Sequence, residues 1–419
     1  MKTIKQFFYA LFFFVALLYT DVVMATDVYV AGTIRNSSSI DVATYWKNGT
    51  AVTLGGVTKP SYAFSIYISN NDVYVAGSEA NSSGKFIARY WKNGTAVDLT
   101  DGTVNASAEA IYAFGTDVYV VGYENNASSK TIAKYWKNGV ATTLGDGVNI
   151  SDAKSLCVSG SDIYVAGYEY SNGKYLAKYW KNGIATVLSD GVNNAYANSI
   201  YISGGDVYVA GYEIDGSGNN TPKYWRNGVV TNLSVGSVTT KSTANSIFVD
   251  GNNVYVAGNE VSGSNDIAKS WNNITPTNLG ATNAWSYAKS VYVLNGDVYV
   301  AGYQNTIARY WKNGAVTIIG PSGVNSLAYS IMAVEPQTTN LISNVNESAS
   351  IKFNTSTNEL KVYDSYDNST VLILDISGKP LLSNSIKGDV LISLNKLPHG
   401  IYLVKVVSEK GIVCKKIVK

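Results

Sequence analysis

Three short patterns of alternating apolar and polar residues recur along most of the chain, always in the same order. The first, Asp-Val-Tyr-Val-Ala-Gly, begins at Asp27, Asp72, Asp117, Asp162 (followed by Ile163), Asp206, Asn253 (Asn in place of Asp) and Asp297. The second, Tyr-Trp-Lys-Asn-Gly, carries Trp46, Trp91, Trp136, Trp180, Trp225, Trp271 and Trp311. The third, Ala-x-Ser-Ile-Tyr with small variations, starts at Ala63, Ala108, Ala153, Ala197, Ala244, Ala288 and Ala328. Period-two alternation in β-forming residues predicts a strand for each pattern. Asn-Gly after Tyr-Trp-Lys predicts a type I′ hairpin, because both central residues of that turn need positive φ. The sixth repeat departs from it with Asn272-Asn273. A further short strand follows each hairpin, as at Ala141-Thr142-Thr143-Leu144.

Each unit therefore has four strands, a (Ala-x-Ser-Ile-Tyr), b (Asp-Val-Tyr-Val-Ala-Gly), c (the Trp strand) and d. Successive Trp residues lie 40–46 positions apart, the length of one propeller blade. A linear solenoid of hairpins is the rival. The ends of the repeat array favour the propeller: the first unit has no strand a before it, and a surplus strand a, 326–333, follows the seventh strand d. The expected fold is all-β, a seven-bladed β-propeller with end-to-end strand closure, blade one being residues 326–334 plus 27–57. The repeated Trp is expected to fill the space between splayed blades rather than to bind anything.

The domain plan adds three segments to a propeller at 26–334. Residues 1–25 read as a signal peptide, with Lys2 and Lys5 before an apolar run at 7–19 and cleavage after Ala25. After Val334 the composition turns polar, which places a linker at 335–349. Residues 350–419 then carry short strands at 351–353, 360–363, 370–376, 390–394, 401–407 and 413–418, the pattern of a small antiparallel β-sandwich. No other apolar run is long enough to span a membrane, so none is expected after signal removal.

Composition narrows the chemistry. Charged residues make up 15% of the chain and the net charge is +2, so nothing resembles the basic footprint of a nucleic-acid binder. Two cysteines, Cys157 and Cys414, do not make a disulfide framework. Cys157 sits where sister repeats carry Tyr or Phe. The one histidine, His399, lies outside the repeats, which argues against Ser-His-Asp or Cys-His catalysis and a His-ligated metal in the propeller. No cofactor or metal is expected. The Asp-Gly loops at Asp101, Asp146 and Asp190 read as turns rather than calcium loops.

One position changes while its neighbours stay constant. The x of Ala-x-Ser is Phe64, Glu109, Lys154, Asn198, Asn245, Lys289 and Tyr329. Strand a is the innermost strand of a blade, so these seven are expected to ring the mouth of the central channel. They are either an unconstrained solvated position or a polar and aromatic pocket. Tyr62, Tyr196, Trp285 and Tyr287 are expected in the adjoining d–a loops, placed to stack on sugar rings or to cover blade edges. Glu109 and Asp152 are the candidates for paired-carboxylate glycoside hydrolysis, although a catalytic site normally breaks symmetry more than these repeated acids do. A second repeated set, Glu79, Glu124, Glu169, Glu213 and Glu260 with Arg89, Lys134, Lys178, Lys223 and Lys269, reads as cross-strand ion pairs. Blade one lacks both members, with Ile34 and Thr44.

The end of the chain resembles a known family. Val371-Leu-Ile-Leu-Asp-Ile-Ser-Gly-Lys379, Leu397-Pro-His-Gly-Ile-Tyr-Leu-Val-Lys-Val406 and the terminal Lys415-Lys-Ile-Val-Lys419 are together similar to the type A C-terminal sorting domain of type IX secretion. The resemblance covers about the last 70–75 residues. It implies the type IX machinery as a partner, passage through the outer membrane of a Gram-negative bacterium, and a product that is released or surface-attached. It does not bear on the propeller's ligand. The expected function is a secreted or cell-surface binding protein for a glycan, with a protein-interaction or adhesion module and a carboxylate-based carbohydrate-active enzyme as alternatives.

Overall fold

The computed structural model describes residues 26–233, 241–335, 349–354, 357–364, 369–375, 380–398, 400–408 and 411–419. The expected signal peptide and most of the expected linker lie outside these residues, as does His399. The chain divides into two compact units after Glu335.

The first unit contains seven antiparallel sheets of four strands, each in the order a-b-c-d. Blade two shows the plan: Ser61–Ser69, Asp72–Ala80, Phe86–Lys92 and Thr95–Asp98. In blade one the inner strand is Ser326–Val334, which pairs antiparallel with Asp27–Arg35 from the other end of the repeat array. Strands a of successive blades pack side by side, and the d strands lie exposed at the rim.

The constant residues explain why one sequence unit makes one blade. Asn48 and Gly49 have φ of 50° and 82°, as a type I′ turn requires, and five sister turns repeat them. In blade six the two-residue loop is Asn273-Ile274, and Asn273 alone takes positive φ. The Asn side chain also ties the hairpin to strand b. Asn48 Oδ1 accepts the Val28 N–H at 2.8 Å while its Nδ2 donates to Asp27 Oδ1 at 2.7 Å. Lys47 completes the staple, 2.9 Å from Asp27 and over the Tyr29 ring. Blade six carries Asn253 and Asn272 in place of Asp and Lys, so both ends of this ion pair are replaced together.

The seven Trp are at most 2% exposed. Trp136 of blade three packs on Ala76 and Ala88 of blade two, and Trp46 on Ala301 and Ala308 of blade seven. The small Ala side chains of one blade make room for the indole of the next, so the expected packing between blades is present. The repeated Glu and base also pair as expected: Glu79–Arg89 at 2.6 Å, Glu124–Lys134 at 2.5 Å, Glu169–Lys178 at 3.1 Å, Glu213–Lys223 at 2.6 Å, and Glu260 with Lys269. The Asp-Gly loops are Asx turns, with Asp101, Asp146 and Asp190 accepting the backbone N–H groups of Thr103, Val148 and Val192.

The second unit is a sandwich of a three-stranded sheet (Ala349–Asn354, Glu359–Asp364, Val390–Ser393) and a four-stranded sheet (Pro380–Ile386, Ser369–Leu374, Ile401–Ser408, Gly411–Val418). Ile351, Leu360 and Ile392 of one sheet meet Val371, Ile373, Val404 and Val406 of the other in a shared core. The strand Pro380–Ile386 was not expected from the sequence. It is a mostly exposed edge strand with Ser383, Asn384 and Ser385 in its middle, so it lacks a clean apolar alternation.

Candidate binding site at the channel mouth

Each changing residue x occupies a β-bulge. In blade three, Ala108 pairs with Gly122 and Ala110 with Val121, so Glu109 has no partner across the ladder. The same shift falls at Phe64, Lys154, Asn198, Asn245, Lys289 and Tyr329. A bulge bends the strand and re-aims the extra side chain. The Gly that ends Asp-Val-Tyr-Val-Ala-Gly makes the bulge possible. A Cβ on Gly122 would sit 2.0 Å from the Ser107 carbonyl oxygen, and one on Gly77 1.8 Å from that of Tyr62.

The bulges leave all seven x side chains half-buried and bring neighbours together around the inner strands. Phe64 and Tyr329 meet at 5.6 Å between ring centroids. Lys154 Nζ lies 3.9 Å from Glu109 and 2.5 Å from Asp152. Asn198 Nδ2 donates to the Ala244 carbonyl of the next blade and Asn245 Nδ2 to that of Ala288, both at 2.9 Å. Lys289 lies over the Tyr287 and Tyr303 rings, 5.2 and 5.9 Å from their centroids.

Tyr62, Tyr196 and Tyr287 are not in the d–a loops where they were expected. They belong to strand a, two residues before the bulge, and pair across the ladder with Ser78, Tyr212 and Tyr303. Backbone bonding starts the strand early: the Ala80 N–H already donates to the Pro60 carbonyl. Trp285 does remain outside the strand. It is 60% exposed, and its Nε1 donates to the Ser264 carbonyl at 3.2 Å.

This registry exposes a set the sequence reading missed, the residue after the constant Gly in strand b. It is Thr33, Ser78, Tyr123, Tyr168, Tyr212, Asn259 and Tyr303. The signal was available, since this position varies directly behind an unvarying pattern. Three changing side chains per blade thus share one end of the propeller, and they sort by chemistry. Blades one and two are aromatic, with Tyr62 stacked on Phe64 at 5.8 Å and 6°. Blades three and four are ionic. Tyr168, Tyr196 and Tyr212 follow as a run of rings 4.9 and 5.0 Å apart. Blade six is amide-rich, with Asn245 and Asn259 beside Asp266.

Two carboxylates share one ammonium in the ionic sector. Asp152 is buried, and its Oδ2 accepts from Tyr168 at 3.3 Å. Burial pushes its carboxyl up to about 6; the Lys154 ammonium opposes this and the Glu109 charge adds to it. Burial works against charge on Lys154, but Asp152 and Glu109 outweigh it and hold the ammonium above its ordinary range. Burial thus makes Asp152 readier to hold a proton than a solvated carboxyl would be.

Residues 345–419 match the family described as the secretion system C-terminal sorting domain. This stretch is a type IX secretion sorting domain. A sorting domain of this kind implies the type IX machinery and export to a secreted or surface-attached state. Two loop anchors lie in its motif residues. The Tyr402 hydroxyl donates to the Pro398 carbonyl at 2.6 Å, and Lys419 Nζ donates to the carbonyls of Leu394, Asn395 and Leu397. The sorting domain's third tie, from Lys415 Nζ to the Ile351 carbonyl at 2.8 Å, joins its two sheets. No curated protein matches the sequence. Among solved structures the chain is similar to a puromycin-hydrolysing peptidase of Mycobacterium tuberculosis, at 10% identity and TM-score 0.48, over 80% of this chain and 56% of that one. It is also similar to PorZ, a surface component of the type IX secretion system of Porphyromonas gingivalis, at 15% identity and TM-score 0.31, over 90% of this chain and 55% of that one. This chain therefore spans little more than half the length of each. Among the described residues no helix is long and apolar enough to cross a membrane.

Proposed function

We propose that this protein is a glycan-binding propeller, carried out of the cell by its sorting domain, and that it performs no catalysis. In this reading residues 1–25 are a signal peptide, 26–334 the binding module, 335–349 a linker and 350–419 the export signal. The observation that carries it is the set of unlike side chains on seven like bulges. A structural position would repeat with the blade; this one changes from Phe64 to Glu109 to Asn245 while the backbone holding it does not. Variable side chains on a rigid scaffold are where binding specificity is built. Flat aromatic faces beside amides suit a sugar, whose ring carries both an apolar face and hydroxyls. The carboxylates argue less well for hydrolysis. Lys154 is 2.5 Å from Asp152, an ion pair that competes with proton delivery to a leaving group.

A glycan array probed with the mature protein tests this. Bound glycans are expected, with loss of signal in the Tyr62→Ala/Phe64→Ala double variant. An array without hits, together with retained adhesion to a protein surface, would favour the interaction module. Turnover of a bound polysaccharide, abolished by Glu109→Gln, would favour the enzyme.

A further inference from the structure

The mouth holds two lysines among its seven bulged residues, and they differ in how their charge is met. Lys154 has two carboxylates beside it. Lys289 has none within salt-bridge range among the described residues. Its surroundings are the rings of Tyr287 and Tyr303. The nearest acid that acts on it, Asp266, is already engaged: it accepts the Tyr287 hydroxyl at 2.6 Å and Asn259 Nδ2 at 2.9 Å. Burial accordingly pulls the Lys289 ammonium below its ordinary range, with Asp266 only partly offsetting it. A half-buried ammonium beside two aromatic rings, with no carboxylate in salt-bridge range among the described residues, is a site for an anion that also presents an apolar face.

The far end of the same strands limits how such a ligand enters. Three residues after each bulge comes a second ring of side chains, largely aromatic. Tyr67 and Tyr112 lie 4.7 Å apart, Tyr201 and Phe248 4.5 Å, and Phe248 and Tyr292 5.1 Å. Tyr67 interacts electrostatically with Tyr292 and with Cys157, each two blades away, so these side chains converge on the axis. A ring of mostly aromatic side chains thus narrows the channel below the mouth.

We propose that the mouth takes the carboxylate-bearing end of an acidic glycan, with the carboxylate on Lys289 and the sugar face against Tyr287 and Tyr303. This rests on the glycan-binding reading and names its ligand class. Uronic and sialic acids share the chemistry; two probes separate them.

The test is titration of the mature protein with tetragalacturonate, with its methyl ester, and with sialyllactose and lactose. At least one acidic probe is expected to bind, and its neutral counterpart to bind about tenfold more weakly, the loss of about 1.4 kcal/mol. Lys289→Gln is expected to reduce acidic binding by a similar factor at an unchanged melting temperature, and Lys289→Arg to retain most of it. Equal affinity for acid and neutral counterpart, or unchanged acidic binding in Lys289→Gln, would overturn the proposal. If neutral glycans bind and depend on Tyr62 and Phe64 while Lys289→Gln has no effect, the acidic ligand is wrong and the glycan reading stands. If the array and all four probes show no binding, both fail.

Discussion

The backbone N–H of Ile66 donates to the Oγ of Ser330, 264 residues further along the chain, at 3.3 Å. The same bond joins each inner strand to its neighbour almost all the way round. Ile111 donates to Ser65, Ile200 to Ser155, Ile247 to Ser199, Val291 to Ser246 and Ile331 to Ser290. The series has one gap, between blades three and four. There the residue facing Leu156 is Ala110, which has no hydroxyl.

Ala110→Ser is therefore expected to complete the series. A net intramolecular hydrogen bond is worth about 0.5–1.5 kcal/mol, which in a domain of this size raises the melting temperature by roughly 1–3 °C. Ser290→Ala should lower it by a comparable amount. If neither variant moves the midpoint, these hydroxyls contribute nothing to holding the blades together.

The bulges rest on glycine, and Gly122→Ala should show it. A Cβ there would lie 2.0 Å from the Ser107 carbonyl oxygen, and backbone rather than a flexible side chain would have to yield. The expected loss is on the order of 3 kcal/mol or more in urea unfolding. Ala at Gly94, whose Cβ would meet nothing but which sits at φ 84°, should cost less, about 1 kcal/mol. Similar losses at the two sites would mean that the bulge tolerates a side chain.

Passage through the outer membrane should depend on the second unit. Removing residues 340–419 deletes both sheets of the sorting domain and leaves every propeller strand in place. Cell fractionation is expected to find the truncated propeller folded and retained inside the outer membrane. Normal surface display of that truncation would show that the domain is dispensable for export.

How much could be read from the sequence followed how often a feature was repeated. Trp136, Asn138 and Gly139 recur in every blade or nearly so, and their packing and turn roles were legible because seven copies of one environment select the same residue. The channel-mouth candidates rest on the opposite signal, change at Glu109 between constant Ala108 and a nearly constant Ser. What repetition does not convey is register. The bulge at Glu109 adds a residue to one strand, and only cross-strand pairing shows that Tyr196 lies opposite Tyr212 rather than in a loop. The edge strand Pro380–Ile386 was missed for a related reason: it occurs once, is polar, and has no sister segment for comparison.

The buried acid of the mouth gives a pH signature. The Asp152 carboxyl is raised to about 6 in the folded protein, from its ordinary 3.8, mainly by burial. Between those values the folded state binds a proton that the unfolded chain has released, so folding is favoured by acid. The stabilisation is complete below about pH 4 and disappears as pH rises through about 6, a change on the order of 3 kcal/mol. Other groups contribute their own slopes, so the test is a difference. Against pH, the stability of Asp152→Asn relative to wild type should rise across this window and level off above it. Glu109→Gln removes a negative charge that raises the Asp152 value, so it should move the wild-type transition to lower pH. Parallel curves for wild type and Asp152→Asn would mean that Lys154 keeps the carboxylate ionised throughout, with burial the weaker influence.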